Sequence, residues 1–434
     1  MLKSIFTQLW NRKQSNIWIL LELLLVFCLI WYMVDYFFVL SYNYHLPNHR
    51  DIRHTWKVNL SQYPEESSNY KAEESEAEAR ATNFTRILQQ IQNHPGVEAL
   101  SVSFPNSTPG SGGYMGTSYE RLNDTTLNVG GQIITFDPNY DFFRVFGYTS
   151  DNGKKALSVR DFDWSNPKTI VVSRSVVERL FSDSSAIGRE MRTYWQGKEH
   201  DRRVIGGVVD DVKRFNYLRP QNTFYIAQQP DVTTNWTSME ISIRSKATLP
   251  DLVFRENFQK GMMNTLQIGN FYFKNIVPFS EINAQKDKEF GQTKDVYIKT
   301  GLMIFFLINI ILCVIGTFWY RVYVRREEIG IRKAFGASKT NIRNTLLLEG
   351  ICLLTIVLLP AMIISYQFVH AGLIDTLGFN RGNPTVYLPD RTFLRFLITN
   401  AITWIIMATV VIAAVWLPAR KAADMQPVEA LHYE

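Results

Sequence analysis

Four runs of about 20 apolar residues, each long enough to cross a ~30 Å hydrocarbon layer as a helix, constrain this chain more than any other feature. They lie at 17–40, 301–320, 346–369 and 394–417. One stands alone and three are clustered, with residues 41–295 between the first run and the rest. Backbone polar groups find no partners in hydrocarbon, so each run must be a helix. The fold class that follows is an α-helical membrane protein with four transmembrane helices (1+3) and a large extracytoplasmic α+β domain. The first run is expected to be a retained anchor, because "LLELLLVFCLIWYMVDYFFVL" passes into "SYNYHLP" without a small-residue cleavage site. Trp31, Tyr32, Tyr36, Trp319, Tyr320 and Trp416 lie toward run ends, where interfacial aromatics sit.

Positive charge sets the expected orientation. Lys3, Arg12 and Lys13 precede the first run, and Arg321, Arg325, Arg326, Arg332, Lys333, Lys339 and Arg343 fill the second connection. Arg420 and Lys421 follow the last run. By the positive-inside rule these segments face the cytoplasm, residues 1–16 among them, while 41–295 and 370–393 lie outside. The net charge of +6 is largely this bias. A nucleic-acid partner would need a basic soluble domain, and none is evident. The three cysteines, Cys28, Cys313 and Cys352, all fall inside apolar runs. The external region must therefore fold on its apolar core without disulfides, and it is large enough to do so. The N-x-S/T triplets at Asn59, Asn83, Asn106, Asn123 and Asn235 are read as chance occurrences.

Within the external region "TWKVNLSQY" has strand character. "EESEAEARATNFTRILQQIQNHPG" reads as a helix, with Phe84, Ile87, Leu88 and Ile91 at helical spacing and a Pro-Gly stop at 95–96. "VEALSVSF" is a strand, so a β-α-β unit of the ferredoxin-like kind is expected. "PNSTPGSGGYMGTS" (105–118) is a loop by composition, "QIITFD" a strand, and "YDFFRVFGY" an aromatic cluster. A strand over 169–173 precedes a helix that places Val176, Val177, Leu180 and Phe181 on one face. "RRVIGGVVDDVKRFNY" and "MEISIRS" read as strands, and "NIVPFSEINAQKDKEFGQTKDVY" as a polar helix running into the second apolar run.

The connection "RREEIGIRKAFGASKTNIRNTLLLEG" (325–350) carries more than a topology signal requires. Ile331, Ala334 and Phe335 share one side of a helical wheel, with Glu327, Glu328, Arg332 and Lys333 elsewhere. Gly336 suits the left-handed residue that ends a helix, and Ser338 suits the cap of the next. The pattern predicts a short helix over 325–335, a tight turn and a re-entering membrane helix.

These residues resemble the cytoplasmic signature E-I-G-I-R-K-A-L-G-A of MacB-type FtsX-like ABC transporter permeases. "PARKAADMQPVEALHYE" (418–434) is similar to that family's closing motif. "TIVVSRSVVERLFSDSSAIGREMR" with "VIGGVVDDVK" resembles its extracytoplasmic core domain. The resemblance implies a MacB-like core over 41–295 and an FtsX-like permease domain over 296–434. It implies a bacterial inner-membrane protein with its large domain in the periplasm, working as the membrane half of an ABC transporter. Glu328, Ile329, Gly330, Ile331, Arg332, Lys333, Phe335 and Gly336 are the positions it implies for contact with a cytoplasmic ABC ATPase subunit. Phe335 departs from the usual leucine, and Glu327 stands where a basic residue is common. A second permease copy or a related permease is implied as partner, and a periplasmic adaptor and outer-membrane channel occur with some relatives.

No G-x-x-x-x-G-K-[ST] stands in the sequence, so ATP and Mg are expected on the partner ATPase, with no cofactor in this chain. A single four-span unit without a fused ATPase domain is expected. His45, His49 and His54 cluster without Cys or a further His group, which argues against a metal site. Asp210-Asp211 reads as a turn rather than a catalytic pair, and Ser173 and Ser175 lack a nucleophile elbow. Glu22 and Asp35 lie near the ends of the first run and are expected to snorkel. Asn309 is the polar residue expected to hydrogen-bond between helices. The third and fourth runs are read as adding only threonine, serine and glutamine, too little to line a polar channel. The expected function is therefore mechanical transmission of ATP-driven motion to the external domain, for export of a peptide, antibiotic or lipoprotein. The alternative is an FtsX-like signalling subunit that activates a cell-wall hydrolase.

Overall fold

The computed structural model describes residues 13–122, 124–181, 186–195, 198–290, 292–371, 388 and 391–426. They form two compact units, one of them Asn43–Gln292 and the other the chain up to Tyr42 with the described residues from Thr293 onward. Much of the closing motif, from 427 on, and most of the 370–393 connection lie outside the described residues. The described residues begin with α1 (Lys13–His45), which extends beyond the apolar run at both ends.

The unit Asn43–Gln292 is α+β. Its strands are β1 (Thr55–Gln62), β2 (Val97–Ser103), β3 (Gly116–Arg121), β4 (Asp124–Phe136), β5 (Thr169–Ser173), β6 (Glu190–Trp195), β7 (Lys198–Val209), β8 (Thr223–Ala227), β9 (Glu240–Ser245) and β10 (Phe271–Pro278). Its principal helices are α2 (Ala77–Gln92), α3 (Arg174–Phe181), α4 (Asp251–Thr265) and α5 (Phe279–Glu289). The strands make one sheet in the order β8-β5-β7-β6-β3-β4-β2-β9-β1-β10, with a second, parallel pairing of β8 to β4.

Within that sheet β2-β9-β1-β10 is antiparallel throughout. Taken in chain order with α2 and α4, these strands form a ferredoxin-like split β-α-β module. The β-α-β unit expected from sequence is thus present, but β9 separates its two strands. Residues 104–239 are an insertion between β2 and β9 that carries the rest of the sheet, joined to the module where Ser103 pairs with Phe136. The predicted face of α2 is the buried one: Phe84, Ile87, Leu88 and Ile91 enter a core shared with Phe254 and Phe258 of α4. The inserted part is held by the aromatic cluster. Phe136 stacks on Phe142 at 5.0 Å, and Phe143, Phe146, Tyr148 and Tyr225 are buried around them. Burying one such ring contributes roughly 1.5–3 kcal/mol. Two expectations change. Residues 275–278 belong to β10 rather than to a polar helix, which begins only at Phe279, and α4 is a helix that sequence reading passed over.

The second unit is a helical bundle of α1 with α6 (Gln292–Val324), α7 (Arg326–Ala334), α8 (Lys339–His370) and α9 (Thr392–Asp424). Helices α1, α6, α8 and α9 are each long and apolar enough to cross a membrane. Phe27, Ile30, Ile310, Leu354, Met407 and Val415 are fully buried between them. Gly350 lets α8 approach α9 closely, since a Cβ there would lie 3.0 Å from Val411 and 3.2 Å from Val415.

The polar residues of the bundle depart from expectation. Asp35 does not snorkel: it is buried, and its Oδ1 accepts from Arg395 Nε at 2.8 Å while Oδ2 takes the same guanidinium's Nη2. Glu22 takes the Cys313 thiol. The third and fourth runs contain Glu349, Arg395 and Asn400, all buried, so their polar content was undercounted. Asn309 lies on an exposed face of α6 rather than between helices of this chain.

Candidate coupling surface

The charged connection folds as its sequence predicts locally. Helix α7 places Glu327 and Glu328 in its first turn and Arg332 and Lys333 in its last, which complements the helix dipole. It ends in a Schellman motif: Ala337 N–H donates to Arg332 O and Gly336 N–H to Lys333 O, both at 3.0 Å, with Gly336 at φ +89°. A Cβ is strained at that φ, hence glycine. Ser338 then caps α8, its hydroxyl accepting from Asn341 N–H at 3.2 Å.

Two attachments fix α7 to the bundle. At its start, Arg325 Nη1 donates to Glu349 Oε2 at 2.8 Å, and Arg321 Nη1 to Glu349 Oε1 at 2.7 Å. Arg321 also reaches the Asn16 side-chain oxygen, and Arg325 Nε reaches Glu328 at 3.3 Å. Glu328 passes the connection on to Arg332 at 2.6 Å. At the end of α7, Lys333 Nζ donates to the carbonyls of Ala423, at 2.7 Å, and Met425. These are terminal carbonyls of α9, which lack helical partners and favour a cation. Lys339 pairs with Asp424 at 2.9 Å beside them. The two segments that carry the sequence resemblance therefore meet: Lys333 belongs to one, Ala423 and Met425 to the other.

This geometry divides the candidate residues. Ile329 (7% exposed) and Gly330 are buried, Ile329 as part of the bundle core. Lys333 is spent on α9. Phe335 is 89% exposed and Ile331 48% exposed, and with Ala334 they form an apolar patch flanked by exposed Glu327 and Arg332. Ile329 cannot fill a partner's groove without leaving the core. The wheel grouping of Ile331, Ala334 and Phe335 is the outward one. Sequence reading missed Glu349 and Arg321 as parts of this site. The available signal was a carboxylate four residues into an apolar run, which is costly unless paired.

The remaining candidates have structural roles. Burial works to raise the Asp210 carboxyl, but N–H groups of Gly153 and Asn152 and the Arg174 guanidinium outweigh it and hold it below the usual range. Asp211 accepts from Ser175 N–H at 3.0 Å and is raised by burial. Ser173 Oγ accepts from Thr223 N–H. His49 and His54 face different carboxylates, Asp210 at 3.8 Å and Asp251 at 2.7 Å.

Residues 300–427 match the sequence family described as FtsX-like permease C-terminal. No curated protein sequence matches the chain. Among solved structures it is similar to the periplasmic region of MacB from Actinobacillus actinomycetemcomitans, at 11% identity over 54% of this chain and 93% of that one, TM-score 0.30. It is also similar to the extracellular domain of the noncanonic ABC-type transporter YknZ from Gram-positive bacteria, at 13% identity over 50% of this chain and all of that one (100%), TM-score 0.28.

Proposed function

We propose, from the match of residues 300–427 to the FtsX-like permease C-terminal family, that the chain is the membrane subunit of an ABC transporter in a bacterial inner membrane. A separate cytoplasmic ATPase, holding ATP and Mg, docks on α7. The observation that carries this reading is the exposed Ile331–Phe335 patch on a helix otherwise tied tightly to the bundle. An apolar pair one turn apart, flanked by both signs of charge, suits insertion into a groove of a partner protein. A helix anchored at both ends moves as one piece with α8 and α9, through Glu349 and Ala423, when its partner moves.

The chain works by transmitting motion. Asp35 with Arg395, and Glu349 with Arg321 and Arg325, satisfy one another inside the bundle, so these charges hold helices together rather than line a path for polar cargo. Helix α1 continues without a break to His45, which gives a covalent route to the external unit. There the motion acts on cargo already outside the cytoplasm, such as a peptide, antibiotic or lipoprotein. A second permease copy would cover α6. Only 17% of the α6 apolar window is buried, against 44%, 33% and 39% in the other spans, and the exposed Asn309 would gain a polar partner there.

Co-purification with the cognate ATPase tests docking. Phe335→Asp combined with Ile331→Asp should abolish co-purification and leave the thermal unfolding temperature unchanged. Retention of the ATPase by that variant overturns the proposal. Gly330→Trp is unsuitable, because Gly330 is buried and its loss confounds docking with bundle stability. Orientation is tested separately by thiol labelling at introduced cysteines. Sites within 150–250 should label from outside only, and labelling from the cytoplasm alone overturns the scheme.

A further inference from the structure

The external unit contains a cleft of about 340 Å³, within the ~300–1,000 Å³ range of small-ligand sites. The apolar side chains of its walls are mainly aromatic. Phe215 and Tyr217 stack with centroids 5.5 Å apart and planes 3° apart, and Phe290, just beyond α5, meets Phe215 at 5.2 Å. Leu218 completes the apolar lining, and Tyr114 is an exposed member of it. Gln221 and Asn222 add amide groups.

Arg214 is the charged residue of this lining, and Lys286, 6.0 Å from the Phe290 ring centroid, is paired with Glu289. The Arg214 guanidinium lies 5.0 Å from the ring centroids of both Tyr114 and Phe215. Its Nη2 donates to the carbonyls of Ser111, Gly112 and Gly113, which hold it in place but bring no negative charge. No carboxylate meets it among the described residues, and its Nε is buried without a partner. A partly buried cation with only neutral partners keeps an uncompensated desolvation cost. Burial accordingly pushes the Arg214 pKa down. Asp287, whose charge acts on Tyr217, is not among the lining residues. Burial pushes the Tyr217 hydroxyl up to about 12, so it remains a neutral donor near pH 7.

We propose that this cleft binds a small amphiphile that joins an aromatic or apolar body to one carboxylate. The rings take the body against Phe215, Tyr217 and Phe290, and the carboxylate supplies the counter-charge that Arg214 lacks. The assignment names the chemistry of the group recognised on the cargo, and only its role as cargo rests on the transport reading. Binding itself requires no ATPase, so failure here and failure of docking on α7 are separately visible.

The test uses the full chain in phosphatidylcholine nanodiscs, with 2-naphthoate and its neutral counterpart 2-naphthamide as probes. Equilibrium dialysis against empty nanodiscs measures binding. Wild type should bind 2-naphthoate saturably and at least about tenfold more tightly than 2-naphthamide, the difference one charge-assisted contact supplies. Arg214→Gln should erase that preference while leaving 2-naphthamide affinity within about twofold. Gly130→Phe adds a ring at a lining position where a Cβ meets nothing nearer than 3.9 Å, and should abolish binding of both probes. If Arg214→Gln does not fold, the wild-type preference and Gly130→Phe decide. Absence of saturable binding, equal affinity for the two probes, or binding that survives Gly130→Phe each overturns the proposal.

Discussion

Arg325 Nη1 lies 2.8 Å from Glu349 Oε2, and both side chains are buried. The residue that starts α7 is thereby fixed to the interior of α8. Arg321 brings a second guanidinium to the same carboxylate, so Glu349 is an anion shared by two buried cations. Removing one member of such a group leaves its partners uncompensated, at a cost of about 3–5 kcal/mol. Glu349→Gln should therefore lower the thermal unfolding temperature markedly in detergent. Glu328→Gln, at a more exposed site, should cost under about 1 kcal/mol. Equal stability of the two variants would contradict the anchoring role given to Glu349.

The Asp35–Arg395 pair calls for a double-mutant cycle. Arg395→Leu alone strands a buried carboxylate and should destabilise the bundle by about 3–5 kcal/mol, whereas Asp35→Leu with Arg395→Leu should recover most of that loss. Additive losses, measured by thermal unfolding, would mean that the two residues act independently.

Sequence reading succeeded where the signal was local. The α2 face, the Gly336 turn and the Ser338 cap depend on neighbours within a few residues, and the structure has them as expected. The ferredoxin-like module was only half legible, because β9 reaches its place beside β1 and β2 across the 104–239 insertion. Register over such a distance leaves no periodic trace. Glu349 and Arg395 were obscured by the apolar runs around them, and their roles emerge only when two helices are brought together. The outward face of α7 was legible as a wheel, but Ile329 was assigned to the partner although it completes the bundle core. A nine-residue helix does not itself reveal which side has a neighbour.

Lys213 provides a pH test in the external unit. Its ammonium donates to the carbonyls of Asn43, at 2.6 Å, and Tyr44, at 3.2 Å, in the last turn of α1. Burial lowers its pKa to about 8 from 10.5. Between those values the unfolded chain holds a proton that the folded one has released, so stability should rise with pH across that window and stay flat below it. Lys213→Met should lack that contribution. Thermal unfolding of both proteins from pH 7 to 10.5 measures the difference, and parallel profiles would contradict the assignment.

The central claim, that α7 presents Ile331 and Phe335 to an ATPase, is tested most directly by site-specific photo-crosslinking in intact cells. A photoreactive phenylalanine analogue placed at 335 or 331 should capture the ATPase. The same analogue at 329, inside the bundle core, should give crosslinks only within the permease chain. ATPase capture from 329 but not from 335 would contradict the account.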